Sequence, residues 1–333
     1  METDKLITEF TKFHIQQAVE RLLAGGVVAF PTETVYGLGA DISQPQAIQK
    51  IFEIKGRPSN HPLIVHFSNL SELEFWAEDI PATAWKLAEH FWPGPLTLIL
   101  PKSKLIPVSV TGGQETVALR IPRHPIALNL LEQLGSRKAI AAPSANRYGF
   151  VSPTNADHVK CAFGDKIDVI LDGGACEIGL ESTIINCVDN NVMLLRPGGT
   201  PLSAIKDLLK QNIQIQPHSQ IRSPGSLASH YATSTPLEIC PTSEILLSRS
   251  STLLQQGIYT AAVTRSAPQI SSDKLHHVLM PDEPIAFGKL LYATLRKLDE
   301  ANFERILIEA PPDDLEWLAV ADRLTRASHS FRK

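Results

Sequence analysis

Lys55-Gly56-Arg57-Pro58-Ser59-Asn60-His61-Pro62-Leu63-Ile64-Val65-His66 runs from a pair of cations through a proline-stiffened turn into a short apolar strand. Upstream, residues 43–54 place Ala47, Ile48, Ile51 and Phe52 on one helical face, with Ser43 as N-cap, so a helix is expected to end near Gly56. Gly56 lets the backbone turn, Pro58 and Pro62 restrict the exit, and residues 63–67 enter a sheet. Lys55 and Arg57 then have two readings. They complement the negative end of the helix dipole, contributing about 0.3–1 kcal/mol each, or they hold an anion. The stretch by itself leaves both open.

The same alternation continues on either side. Residues 11–24 form an amphipathic helix closed by Gly25-Gly26, and residues 27–30 a buried strand that delivers Pro31-Thr32-Glu33-Thr34-Val35-Tyr36-Gly37-Leu38-Gly39-Ala40, read as a loop at a strand end where hydroxyls and one carboxylate crowd beside two glycines. Helices are expected near Ser71 and over 81–91, 125–134, 152–163 and 201–210. Strands are expected over 96–100, 116–121, 139–142 and 168–171, with a hairpin at 182–188 and 192–195. Trp92-Pro93-Gly94-Pro95 is a rigid corner with Trp92 as a packing residue. Pro143-Ser144-Ala145-Asn146 follows a strand and is either an ordinary Ser/Asn turn or a small-residue approach to a phosphate. Arg120 and Arg196 also sit at strand ends. Together with Lys55 and Arg57 they favour an anionic ligand, although neither a Walker A loop nor G-x-G-x-x-G is present.

Residues 212–235 are poor in periodicity and are read as an interdomain linker, with His230-Tyr231 suggesting a segment that folds back over a site. From residue 236 the order is strand, helix, strand, strand, helix, strand, helix, a small Rossmann-like domain, with His276 and His277 expected as partly buried structural residues. The expected architecture is therefore α/β in two domains, 1–211 and 236–333, joined by a linker.

The 333 residues are 43% hydrophobic and carry a net charge of -4. That charge is evenly spread, with 19 basic and 22 acidic side chains in 1–220 and 12 and 13 in 221–333, so no segment advertises strong nucleic-acid binding. Cys161, Cys176, Cys187 and Cys240 form no C-x-x-C pair, and only His158 lies within a helical turn of one of them, which argues against a structural metal. The first residues lack a basic and apolar leader, and no run approaches a membrane span. A cytoplasmic protein without membrane attachment is expected.

Pro31-Thr-Glu-Thr-Val-Tyr-Gly-Leu38, Lys55-x-Arg57-Pro58, Pro62-Leu-Ile-Val-His66, Trp92-Pro-Gly-Pro95, Ala142-Pro-Ser-Ala-Asn146, Ser182-Thr183 and Leu195-Arg-Pro-Gly198 occur in the order found in YrdC-type domains. The whole chain resembles the two-domain threonylcarbamoyl-AMP synthases, a YrdC-type twisted mixed sheet with flanking helices followed by a smaller Rossmann-like domain. That resemblance implies synthesis of threonylcarbamoyl-AMP and pyrophosphate from L-threonine, bicarbonate and ATP, with Mg2+ on the triphosphate. It also implies a functional link to the complex that threonylcarbamoylates adenosine beside the tRNA anticodon. It puts Lys55, Arg57, His61, Thr116, Ser144, Asn146, Ser152, Arg196 and His230 at ATP-binding positions, with Lys55, Arg57, Ser144 and Asn146 as the catalytic signature. Thr34, His66, Arg120, Ala142 and Ser182 fall at L-threonine positions, Ala142 through its backbone and Arg120 as a bidentate partner of the carboxylate. No protein ligand to the metal is implied. His61 departs from the family's usual Asn, and in the linker Ser226 and Thr233 replace the usual Met and Pro. Two other classes share such a fold, an RNA-binding module and a carbamoyl-transfer relative. The charge balance weighs against the first, and the absence of acylphosphatase or zinc-finger segments against the second.

Overall fold

The helix ahead of the Lys55 turn forms as α2 (Pro45–Lys55), burying Ala47, Ile48, Ile51 and Phe52 as their spacing requires. Its start differs from expectation. Gln44, not Ser43, is the N-cap and gives no side-chain cap, because Pro45 at the first turn needs no N–H partner and Ser43 donates its N–H to Asp41 Oδ1 at 2.8 Å. Gly56 ends the helix at φ 62°, the left-handed region where a side chain is disfavoured. The computed structural model describes residues 9–188, 192–216, 221–225, 231–266 and 275–328. By its contacts the chain divides into two units, Met1–Tyr148 with Ser152–Ser226, and Gly149–Val151 with Leu227–Lys333.

The first unit is built on one mixed sheet. Its strands are β1 (Val28–Phe30), β2 (Gly37–Asp41), β3 (Ile64–His66), β4 (Leu96–Pro101), β5 (Thr116–Arg120), β6 (Ile140–Ala141), β7 (Val169–Ile170), β8 (Thr183–Asn186), β9 (Met193–Arg196) and β10 (Gln214–Ile215). They lie in the order β10-β9-β8-β4-β5-β3-β6-β2-β1-β7. The loop expected after β1 is shorter than the sequence suggested, since residues 37–41 turn back as β2 and pair antiparallel with β1. Helices α1 (Glu9–Leu23) and α3 (Pro125–Leu134) cover one apolar layer. There Ile15, Leu22, Phe30, Leu130, Leu131 and Ile140 pack together fully buried. A second layer joins Ile64, Ile99, Ala118, Ile184 and Leu195, with Ile221 packed against it. Trp92 packs edge-on against Phe67 at 5.7 Å, and its indole donates to Leu96 O at 2.7 Å, the packing role expected of it.

Register does most to position the site. β3 runs parallel to β5 with Ile64 opposite Ala118 and His66 opposite Arg120, so these last two side chains share a face of adjacent strands. β10 extends the sheet beyond residue 211, and the described residues 221–225 belong to this first unit.

The second unit carries an all-parallel sheet, β11 (Leu237–Cys240), β14 (Arg305–Glu309), β12 (Thr260–Thr264) and β13 (Leu275–Leu279) in that spatial order. Among the described residues the α-helices of this unit are α4 (Ser243–Gln255), α5 (Pro284–Glu300) and α6 (Leu318–Ser328). His276 is exposed rather than partly buried, because β13 is an edge strand, and its ring stacks on Phe303 at 5.3 Å. Among the described residues no helix is long and apolar enough to cross a membrane.

Candidate active site

At the end of α2, Lys55 is buried and its Nζ donates to two carbonyls, Ser144 O at 2.6 Å and Asn146 O at 2.5 Å. The turn after β6 is thereby fastened to the turn after α2. Burial first and the neighbouring Arg57 second push the Lys55 pKa well below 10.5. Ser144 donates to Asn146 Oδ1 at 2.5 Å and Asn146 donates to Arg147 O at 2.8 Å, so each small polar side chain has a fixed orientation. Arg57 is buried, donates to Pro62 O at 3.0 Å and lies over the Tyr148 ring at 5.9 Å. His61 meets the same ring edge-on at 5.6 Å, its Nδ1 3.3 Å from the Tyr148 hydroxyl. Burial, then Arg57 and Arg222, lower its pKa, which keeps the imidazole neutral near pH 7. Thr116 opens β5 and lies opposite Pro101 of β4.

A second group lies on the strands. Arg120 and Glu33 form an ion pair at 2.7 Å with side chains 4% and 2% exposed. Arg120 also donates Nη2 to Thr34 Oγ1 at 3.0 Å and Nε to Gly94 O at 3.2 Å. The expected bidentate match to a ligand carboxylate therefore competes with protein partners already in place, and Nη1 is the nitrogen not engaged by them. Burial, the largest effect, would raise the Glu33 pKa. The charge and hydrogen bond of Arg120, with the Arg123 N–H at 3.0 Å, outweigh it, and the carboxyl is held below its usual value. Thr32 Oγ1 donates to Val35 O at 2.6 Å, accepts from the Thr34 and Val35 N–H groups at 3.2 Å, and lies 2.7 Å from Thr34 Oγ1. Thr34 Oγ1 in turn accepts from Arg120 Nη2 at 3.0 Å, which leaves it one further lone pair. His66, opposite Arg120, is pushed down to about 3 by burial first and Arg120 second, and is neutral. Ala142 is buried with its N–H given to Ile64 O at 2.9 Å.

The third group joins β8 and β9. Arg196 donates Nε and Nη2 to Ser182 O at 3.1 and 2.8 Å, Nη2 to Ser182 Oγ at 3.1 Å, and Nη1 to Pro224 O at 3.0 Å. Ser182 Oγ lies 2.8 Å from Thr97 Oγ1, and Ser152 donates to Glu181 Oε1 at 2.5 Å. Gly198 is required here, because a Cβ would stand 2.3 Å from Glu181 O. Backbone bonds connect all three groups: Ala145 N–H to Tyr36 O, Gly179 N–H to Thr34 O, and Thr183 N–H to Pro95 O.

Of the expected site residues, Lys55, Arg57, His61, Ser144 and Asn146 lie in the first group, Thr34, His66, Arg120 and Ala142 in the second, and Ser152, Ser182 and Arg196 in the third; Thr116 pairs with Pro101 instead, and His230 lies outside the described residues. Glu33, Tyr148, Glu181 and Arg222 were not singled out from sequence. Arg222 donates to Asn60 O at 2.6 Å and Gly112 O at 2.7 Å, clamping the turn that carries His61. A carboxylate inside the apolar surroundings of residues 27–38 is the one signal that pointed toward Glu33, since a buried charge needs a partner.

A family model described as "Telomere recombination" matches residues 20–198, and one described as "Threonylcarbamoyl-AMP synthase, C-terminal domain" matches residues 200–329. The chain is 40% identical over 328 residues to the threonylcarbamoyl-AMP synthase of Pyrococcus abyssi, covering 95% of this chain and 94% of that one. It is 41% identical over 337 residues to that of Bacillus subtilis, covering 98% and 95%. The crystal structure of P. abyssi Sua5 complexed with L-threonine matches with a TM-score of 0.86 at 39% identity, over 94% of both chains. Matched along nearly its full length by such relatives, and by family models in both halves, this chain belongs to the two-domain threonylcarbamoyl-AMP synthase family.

Proposed function

We propose that the chain is an L-threonylcarbamoyladenylate synthase, joining L-threonine, bicarbonate and ATP into threonylcarbamoyl-AMP with release of pyrophosphate. The observation that carries this reading is the contiguity of two unlike subsites. One is the cationic, small-residue cradle of Lys55, Arg57, Ser144 and Asn146, and the other the buried Arg120–Glu33–Thr34–His66 group. We assign ATP to the first, together with His61, Ser152 and Arg196 and, on the family resemblance alone, Thr116 and His230, and the amino acid to the second with Ala142 and Ser182.

In the chemistry, the ammonium of threonine gives up a proton, a proton carries bicarbonate to carbon dioxide and water, and the free amine adds to the carbon dioxide and loses a second proton to give a carbamate. A carbamate oxygen then attacks the α-phosphorus while the bridging P–O bond breaks, its electron pair leaving with pyrophosphate. Two anions must meet, so charge neutralisation and alignment are what the protein supplies. Lys55 and Arg57 meet that need, and no covalent nucleophile is called for. His66, with a pKa of about 3, is too weak a base to take the amine proton and serves as a neutral hydrogen-bonding group.

Magnesium would enter with the triphosphate, held by phosphate oxygens and water. The residues fit that mode. Lys55 and Arg57 give the cradle a cationic cast suited to triphosphate oxygens. The product is a mixed anhydride, and we assign its use to the tRNA threonylcarbamoyl transferase complex. Cytoplasmic location accords with four cysteines that are all unpaired.

The test is pyrophosphate release from ATP by the full-length protein. Release is expected only when both L-threonine and bicarbonate are present; turnover that persists when either is omitted would sink the reading.

A further inference from the structure

We propose that Glu33 is a specificity-determining positioning residue: it orients Arg120 and, by cancelling its charge, makes the amino-acid subsite demand a zwitterion rather than a simple carboxylate anion. The proposal rests on the assignment of that subsite to an amino acid. Two observations carry it. The first is geometric. Glu33 Oε1 takes Arg120 Nη2 at 2.7 Å and Oε2 takes the Arg123 N–H at 3.0 Å, while Thr34 and Gly94 hold the rest of the guanidinium. Arg120 thus cannot swing to meet a carboxylate with both arms, and presents Nη1 from a fixed position.

The second observation is the charge of the surroundings. His66 is neutral, burial lowers the His124 pKa, and Cys176 is a thiol pushed up to about 12. Tyr36 is likewise raised, chiefly by burial. Arg123 pairs with Glu177 at 2.9 Å on the exposed side. The buried pair Glu33–Arg120 is therefore close to electrically neutral before a ligand arrives. A carboxylate placed on Arg120 leaves the buried group with one net negative charge, which is costly where water is excluded. A ligand that brings its own positive charge avoids that cost, and the lone pair that Thr34 Oγ1 does not give to Arg120 can accept from its N–H.

Binding of L-threonine and of its deaminated analogue 2,3-dihydroxybutanoate, which keeps the carboxylate and β-hydroxyl but replaces the ammonium by a hydroxyl, separates the charge effect from simple packing. Calorimetry on the full-length wild type should show threonine preferred by roughly 100-fold or more. In Glu33→Gln, which keeps the shape but removes the charge, the preference should shrink by about 10-fold or more, through a gain on the anion as well as a loss on threonine. Equal weakening of both ligands would reduce Glu33 to a structural prop and overturn the proposal.

Glu33→Asp covers the case in which the Gln variant fails to fold. It keeps the charge with a shorter reach, so both ligands should weaken while their ratio stays within about 3-fold of wild type. A ratio that collapses in Glu33→Asp also overturns the proposal. Wild-type protein that binds ATP but neither small ligand would instead refute the amino-acid assignment on which the proposal stands.

Discussion

His66 shows how a single side chain can be read from both its neighbours and its titration. It is buried, faces Arg120 across the strand pair, and its pKa falls from 6.5 to about 3. The unfolded chain therefore takes a proton below about pH 6.5 that the folded chain refuses until about pH 3. Stability is lost progressively across that window, with no contribution above it. Glu33, whose pKa is also lowered, adds to the loss in acid as it is protonated. His66→Gln should flatten the acid limb of a plot of melting temperature against pH without abolishing it. An unchanged limb would show that His66 titrates normally. Arg120 and Glu33 stand 87 residues apart, and pairing of that kind is invisible to periodicity. Sequence could suggest that Arg120 binds an anion, but not that a protein anion already occupies one side of it.

Two glycines separate backbone strain from steric collision at the scale of elements. Gly56 ends α2 at φ 62°, yet a Cβ there would meet nothing within 4 Å. Gly198 lies in the turn after β9, where a Cβ would stand 2.3 Å from Glu181 O and 2.5 Å from Ser182 C. Gly56→Ala should cost only the left-handed penalty of about 1–2 kcal/mol in urea unfolding. Gly198→Ala must displace the strand start that carries Ser182, and should cost more stability and weaken threonine binding as well. Equal effects of the two substitutions would contradict this geometry. The helices and most strands were legible because their apolar spacing is strong, as in α2 and β3. β2 was not, because Gly37-Leu38-Gly39-Ala40-Asp41 is fully buried yet lacks β-branched residues and alternation. β10 was hidden for a related reason: two exposed residues, Gln214 and Ile215, pair with β9 by backbone alone.

At the scale of the whole molecule, the functional groups are distributed between two kinds of support. Lys55, Arg57, His61, Ser144 and Asn146 stand on or beside turns held by a few carbonyl contacts, including those of Arg222. Motif order made this half legible, because short runs of Gly, Pro, Ser and Asn leave a trace in sequence. The other half depends on register: His66 opposite Arg120, in strands paired on both sides within a ten-stranded sheet. That register has a consequence for how the site is lost. A pairing inside a continuous sheet opens only with the sheet, so amide hydrogens of Val65, Ala118 and Leu119 should exchange with deuterium at the rate set by global unfolding. Those of Ser59 to His61 should exchange faster through local opening. Slow exchange at both places would mean that the turns are as rigid as the strands. With the expected pattern, the proposed amino-acid subsite lasts as long as the fold does, while the proposed nucleotide subsite can loosen and re-form many times within one lifetime of the folded state.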